Sequence, residues 1–436
     1  MPWEFAFAFL VGSILVLMGL GLPVAFAFFA ANIVGLYVFF GGAVGVTQMV
    51  SNLSEAVSTY ALTPLPLFLI MGSLFFRSGL GDGVFRALDL CIGNLKARLS
   101  YVVLAAGAIF GALSGSSLAN TGMMGSLMVP EMLKRNYKPH MAFGPVLGAG
   151  GLAVIIPPSS LAVLLGSLAQ IDVGALLIAG AVPGLLLTAM YAALIRVQTL
   201  IDPAAAPQYD VARASLSEKL AAVAANIVPM GVIVFLVVGT IILGIATPTE
   251  SAALGCAGVL ALLVAYRRFS WRTVWTSLDD AMKVTGMTFL IISASTTFSQ
   301  IFAFSGASSG FIGWITGFDI GPMALLAVMV LVILILGMFM DQVSMMLITL
   351  PIFIPIAQQL GFDLVWFGLI LLLAYEVGFT TPPFGLLLFI MLGIAPRGTS
   401  LRTVAFAAAP YIACTMLLIV LIVLFPRIAL WLPGLL

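Results

Sequence analysis

Charge is what this chain lacks most. Asp, Glu, Lys and Arg make up 8% of its 436 residues, while 62% are hydrophobic and mean hydropathy is +1.23. A soluble domain carries roughly 25% charge. This chain cannot solvate its own surface, so its solvent is the lipid bilayer. The net charge of +1 gives no basic excess for a nucleic-acid partner. Histidine is nearly absent: His140 stands alone, beside Lys138 at a membrane edge, and is read as neither catalytic nor metal-binding. Cys91, Cys256 and Cys414 lie far apart in mostly apolar runs. They offer no metal-ligand spacing and no disulfide framework, and read as small packing thiols. There is no phosphate loop for an ATP-driven pump, no nucleophile–base pair and no metal cluster, so an enzyme is not expected. The opening "MPWEFAFAFLVGS" has no basic n-region and no cleavage site. It reads as a first span rather than a signal peptide.

What the chain has is long apolar runs. Each crossing needs roughly 20 apolar residues, which predicts an all-α polytopic membrane protein with about 11 transmembrane segments. Span 1 is expected near Glu4 to Leu20, span 2 near Pro23 to Phe40, and span 3 near Leu62 to Phe76 after a polar loop from Ser51 to Tyr60. Residues 80–98 are amphipathic and read as interfacial. An interrupted apolar segment covers 100–133, a proline-broken one Met141 to Ala169, and another span runs to about 198. Spans near 222–243, 251–266 and 284–304 follow. A second interrupted segment covers 321–360, a broken span 364–394 and a last span 404–430.

The chain is also written twice. Pro130 to Ser159 aligns without gaps with Pro355 to Phe384, each stretch running from a proline to a double proline. Upstream, Arg77 to Gly83 echoes Phe304 to Gly310, and Gly12-Ser13-Ile14 echoes Gly239-Thr240-Ile241. Such repeats in an apolar chain mark a transporter whose site lies between two related halves. The first repeat is placed at 1–199, a cytoplasmic linker at 200–221 with the helix-start signal Ser215 to Glu218, and the second repeat at 222–436.

Basic residues concentrate on the cytoplasmic side. Arg86, Lys96 and Arg98 precede segment 100–133, and Lys134, Arg135 and Lys138 follow it. Both ends then face the cytoplasm, so the segment enters, turns and leaves as a re-entrant hairpin. Segment 321–360 is flanked by Asp319 and Asp363, with no Lys or Arg between Lys283 and Arg397. Its ends are expected outside. The two hairpins point at each other, as inverted repeats require. Arg77, the Arg196–Lys219 stretch, Arg267, Arg268, Arg272, Arg397 and Arg402 fit the cytoplasmic side, with both termini outside.

Irregular backbone at membrane depth persists only where protein or a water-filled cavity satisfies it. Four breaks fit: the tips Ser114-Gly115-Ser116-Ser117 (with Asn120 and Thr121) and Met340-Asp341-Gln342-Val343-Ser344, and the interruptions Ile156-Pro157-Pro158-Ser159-Ser160 and Thr380-Thr381-Pro382-Pro383. Proline frees carbonyl oxygens, and Ser, Thr and Asn add neutral ones. With one carboxylate, such oxygens suit a hard monovalent cation such as sodium. Freed helix N-termini can receive an anionic group. The plainer alternatives are simple proline kinks and close packing of small residues; clustering at turns, matched between repeats, favours sites. Asp341 reads as a cation ligand or supporting charge. Glu376 fits a functional carboxylate and a protonated structural group equally. Glu250 reads as a helix-start carboxylate. Thr297, Ser299 and Gln300 are weaker pocket candidates, for which satisfied polar packing is the plainer account.

The segments "FGALSGSSLANTGMMGSLMVPEM", "GGLAVIIPPSSLAVLLG", "ATPTESAALG", "LGMFMDQVSMMLITLPIFIPI" and "GFTTPPFGLLLF" resemble the large membrane (M, or DctM-like) subunit of tripartite ATP-independent periplasmic (TRAP) transporters, in family order and across nearly the whole chain. The resemblance implies an inverted-repeat, elevator-type secondary transporter of the bacterial inner membrane. It implies two re-entrant hairpins, two broken helices and sodium as the coupling ion, with no other cofactor. The implied partners are a small four-helix membrane subunit, here a separate chain, and a periplasmic substrate-binding protein. The implied substrate is a carboxylate-bearing organic anion such as sialic acid, a C4-dicarboxylate or a sugar acid. Carried over by motif, Ser114, Gly115, Ser116, Asn120, Pro157 and Ser159 form one sodium site. Asp341, Gln342, Ser344, Thr380, Thr381 and Pro382 form the other. Ser117, Thr121, Ser160 and Thr297 are assigned to substrate. The rivals are a stand-alone ion-coupled anion carrier and a non-transporting membrane scaffold.

Overall fold

A computed structural model describes residues 2–41, 60–208, 214–317 and 321–435, with isolated positions between 42 and 59. The described residues are helical throughout, without a strand. Ser51, Ser54 and Ser58, in the expected polar loop, are helical, and Tyr60 opens a short 3-10 turn, Tyr60–Leu62; the other residues of that loop and Asp319 lie outside the described residues. The first two helices, Trp3–Gly19 and Val24–Phe39, lie close to the expected boundaries, whereas the last span, expected at 404–430, is the helix Leu401–Leu424 followed by a separate short helix, Arg427–Leu430. One span is longer than its apolar run: residues 284–304 are the end of a continuous 34-residue helix, Trp271–Phe304. Its first turns carry Arg272, Asp279, Asp280 and Lys283, too polar to count as a span, yet nothing in them breaks a helix. Among the described residues, six helices are long and apolar enough to cross a membrane, or up to eight if each bent pair is one span.

Helix starts follow local chemistry. Ser215 and Glu218 form the reciprocal capping box expected from the sequence, and Thr247 and Glu250 form another. Glu250 is thus a helix-start carboxylate, as its sequence position implies. The helix Gly81–Ile92 turns 69° away from Pro64–Arg77, which suits its amphipathic pattern.

The repeat is present residue for residue in the central helices. The register that sets Pro130 against Pro355 pairs helix Ser117–Lys134 with Gln342–Gln359, and Pro139–Ile155 with Leu364–Thr380. Each pair has identical length, 18 and 17 residues. Pro139–Ile155 is buried from Met141 to its end, and Leu364–Thr380 from Trp366 to its end. Helices apolar on every side belong in the middle. Glycine lets their neighbours come close: a methyl on Gly111 would meet Ala153 Cα at 3.0 Å, and one on Gly337 would meet Gly378 Cα at 2.5 Å. Ala153 and Gly378 are register partners, so each hairpin packs on its broken span in the same way.

Candidate functional site

The first hairpin consists of Arg98–Ser114 and Ser117–Lys134. Its tip is two residues, Gly115 at φ +59° and Ser116, whose hydroxyl accepts from Ala119 N. The second consists of Pro322–Gly337 and Gln342–Gln359. Asp341 stands where Ser116 stands and caps its helix in the same way. Its carboxylate accepts from the backbone N–H of Val343 at 3.0 Å and of Ser344 at 3.1 Å, and from the Ser344 hydroxyl. Charge repulsion does not arise, because a helix N-terminus favours an anion there.

Each tip meets the break in its own half. Ser160 donates to the Gly115 carbonyl at 2.6 Å, bringing the Ser114–Ser117 tip to Pro157–Ser160. Ser159 caps the helix Ser160–Ala169, which is bent 41° from Pro139–Ile155. At the other break, Phe384 lies 5.8 Å from Phe339 of the second tip, ring to ring. Thr380 and Thr381 donate back along their own helix, to Glu376 O and Val377 O. Both double prolines contain a cis peptide bond. The two breaks differ in exposure: Pro157 and Pro158 are buried, Pro382 and Pro383 exposed.

The two halves meet at Glu376. One of its carboxylate oxygens, Oε2, accepts from Ser117 of the first hairpin at 2.7 Å and from Gln342 of the second at 2.5 Å. Ser117 and Gln342 are register partners. Glu376 itself is the register partner of Gly151, against which it packs. Its other oxygen, Oε1, is buried without a hydrogen-bond partner among the described residues, as are Asn120 Oδ1 and Thr121 Oγ1. The Asn120 amide bridges the Gly107 and Ala149 carbonyls, both at 3.0 Å. The geometry places Glu376 at a junction between the two tips.

A cavity of about 710 Å³ lies between the long helix Trp271–Phe304, the end of the first broken span and the second arm of the second hairpin. Ser295, Thr296, Ser299, Gln300 and Gln358 line it, with no Asp, Glu, Lys or Arg among its described lining residues. Thr297 does not line it; the Thr297 hydroxyl donates to Ser293 O at 3.1 Å. Ser117 and Ser160 stand at the first tip instead, and Thr121 packs against Gly150 one turn further along the hairpin arm. Gln358 is not evident from the sequence, because no break marks it and its register partner is the apolar Leu133. The three cysteines are free thiols, and no group of His, Cys, Asp and Glu able to hold a metal occurs among the described residues.

This architecture is one found in membrane transporters. The Alcanivorax borkumensis YdaH transporter shares it with a TM-score of 0.63 at 17% identity, over 90% of each chain. So does Neisseria gonorrhoeae MtrF, of a class of antimetabolite efflux pumps, with 0.63 at 14% identity over 89% of this chain and 85% of that one.

Sequence narrows the class to one family. Residues 11–428 match the tripartite ATP-independent periplasmic transporter, DctM component, and the chain belongs to that family. The C4-dicarboxylate TRAP transporter large permease DctM of Pseudomonas aeruginosa is 30% identical over 89% of this chain and 90% of its own. The ectoine TRAP transporter large permease TeaC of Halomonas elongata is 27% identical over 98% of each. The sialic acid TRAP transporter permease SiaT of Haemophilus influenzae is 27% identical over 97% of this chain and 67% of its own. These relatives are permeases, not enzymes. The chain is a multi-pass protein of the inner membrane.

Proposed function

We propose that this chain is the large membrane subunit of a sodium-coupled importer of a carboxylate-bearing organic anion. A periplasmic binding protein delivers the anion, and a small four-helix membrane subunit completes the assembly. The hairpins and broken spans form a moving transport body. The outer spans and the long helix Trp271–Phe304 form the scaffold past which it slides, as in an elevator. The two repeats at 1–199 and 222–436, joined by the linker 200–221, cross the membrane about 11 times in opposite senses, with both hairpins re-entrant.

One observation carries this reading: each hairpin tip abuts the double-proline break of its own half, in matched register, and both tips converge on Glu376. Ser114, Gly115, Ser116, Asn120, Pro157 and Ser159 offer hydroxyl, amide and carbonyl oxygens for one sodium ion. Asp341, Gln342, Ser344, Thr380, Thr381 and Pro382 offer the same set with a carboxylate for another. Hard cations take oxygen ligands of this kind. Ser117, Thr121 and Ser160, with the uncharged cavity beside the long helix that Thr296 and Ser299 line next to the buried Thr297, are where the substrate's polar groups would be received. The names of the relatives make C4-dicarboxylates, sialic acid and ectoine the first substrates to try.

The test is uptake into proteoliposomes holding the chain and its small subunit under an inward sodium gradient, with and without a candidate binding protein. Accumulation that needs the binding protein supports the tripartite assembly. Equal accumulation without it identifies a stand-alone carrier.

A further inference from the structure

The tip sites are formed by different halves of the chain, yet a single oxygen atom joins the helices behind them. Ser117 opens the second arm of hairpin one, and Gln342 opens the second arm of hairpin two. Both donate to Oε2 of Glu376, at 2.7 and 2.5 Å. All three side chains are at least nine-tenths buried: Ser117 is 1%, Gln342 6% and Glu376 6% exposed. Two neutral donors are the only hydrogen-bond partners of this carboxylate among the described residues. Burying an uncompensated charge costs several kcal/mol, and a hydrogen bond to a charged group returns roughly 1.5–3 kcal/mol. Both arms are tied to one acceptor atom, so displacing either arm moves Oε2 and strains its bond to the other, which makes the positions of the two arms dependent.

The position of Glu376 strengthens the point. In the repeat register its counterpart is Gly151, and its two donors are counterparts of each other. One glutamate at the meeting point of the two halves thus serves both, because glycine on the other side leaves room for it: a methyl on Gly151 would approach Oε1 to 2.8 Å.

We propose that Glu376 is a positioning residue that couples the two hairpin tips, so that ordering one tip by sodium favours ordering of the other. It contacts the arms of both tips and holds them in one arrangement; it need not touch either ion. The inference rests on the sodium reading above. Coupling between sites of this kind typically amounts to about 5–150-fold in affinity.

The test uses the full membrane complex in proteoliposomes, with the three native cysteines replaced and a single reporter on one tip, Ala119→Cys or Val343→Cys. Maleimide labelling is titrated with sodium chloride against potassium chloride. In the otherwise native chain, both reporters are expected to be protected with one common midpoint. In Glu376→Leu the two midpoints should separate by about fivefold or more, whereas Glu376→Gln, whose amide oxygen still accepts both bonds, should keep them together. Should Glu376→Leu fail to insert, Ser117→Ala gives the same information: a deletion on hairpin one should shift the midpoint at the Val343→Cys reporter on hairpin two. Unchanged midpoints at both tips in Glu376→Leu, or at Val343→Cys in Ser117→Ala, would overturn the coupling. Absence of sodium protection in the native chain would overturn the sodium reading itself, and the coupling with it.

Discussion

Gly151 and Glu376 hold the same place in the two halves of the chain and lie in contact. The approach leaves no space for a methyl group at Gly151, which would come within 2.8 Å of Oε1 and 3.2 Å of Cγ. Glu376 cannot yield freely, because Ser117 and Gln342 hold its other oxygen. Gly151→Ala is therefore expected to destabilise the protein by about 1–3 kcal/mol and to lower uptake well beyond the loss in protein level. Thermal unfolding in detergent and transport normalised to inserted protein check the two parts.

Gly115 makes the first tip. It sits at φ +59°, where an L-residue costs roughly 1–2 kcal/mol, and a methyl there would reach Ser160 N at 2.7 Å. Gly115→Ala should separate the tip from the break and weaken the Ser160 bond to its carbonyl. The expected outcome is normal insertion with a raised sodium requirement for uptake, read from a sodium titration.

Asp341 has two separable roles. As a cap it accepts from Val343 N and Ser344 N, and loss of a cap costs about 1 kcal/mol. Asparagine caps a helix as well as aspartate does but carries no charge. Asp341→Asn should thus keep near-native thermal stability and lose sodium-stimulated uptake, while Asp341→Ala loses both. Normal sodium coupling in Asp341→Asn would leave Asp341 as a cap alone.

Much of this is legible in the sequence, and for physical reasons. Long apolar runs and the ungapped match from Pro130 to Ser159 fix helices residue for residue, because a membrane admits few alternatives to a helix. Turn residues clustered at Ser114–Ser117 and Asp341–Ser344 mark the tips. Glu376 is visible as a carboxylate within an apolar run, but its role is not. Its partners lie far away in sequence, on Ser117 of the other half and on Gln342, and a hydrogen bond between separate helices leaves no local pattern. Thr297 shows the same limit. It carries the right oxygen, yet it spends its hydroxyl on the preceding turn, while neighbouring Thr296 and Ser299 face the cavity.

The linker offers a pH test outside the membrane. Lys138 bonds Asp202 through its ammonium group and Ala205 O through its backbone N–H, at 2.8 Å for the latter, and Ala205 and Ala206 are buried. The Lys138 hydrogen bond holds the Asp202 carboxyl below the usual aspartate range. A depressed carboxyl contributes its stabilisation above the unfolded value, near 3.8, and loses it as pH falls through the lower folded value. Hydrogen exchange over residues 202–208 should therefore stay slow at neutral pH and rise only under strongly acid conditions. Asp202→Asn should raise it at neutral pH.

The most direct measurement is co-transport of radioactive sodium with labelled substrate in proteoliposomes of the complete complex. Sodium should enter together with substrate, in fixed proportion, and both fluxes should vanish together in Asp341→Asn. Substrate accumulation driven by a proton gradient in sodium-free buffer, with no sodium entering, would contradict the account.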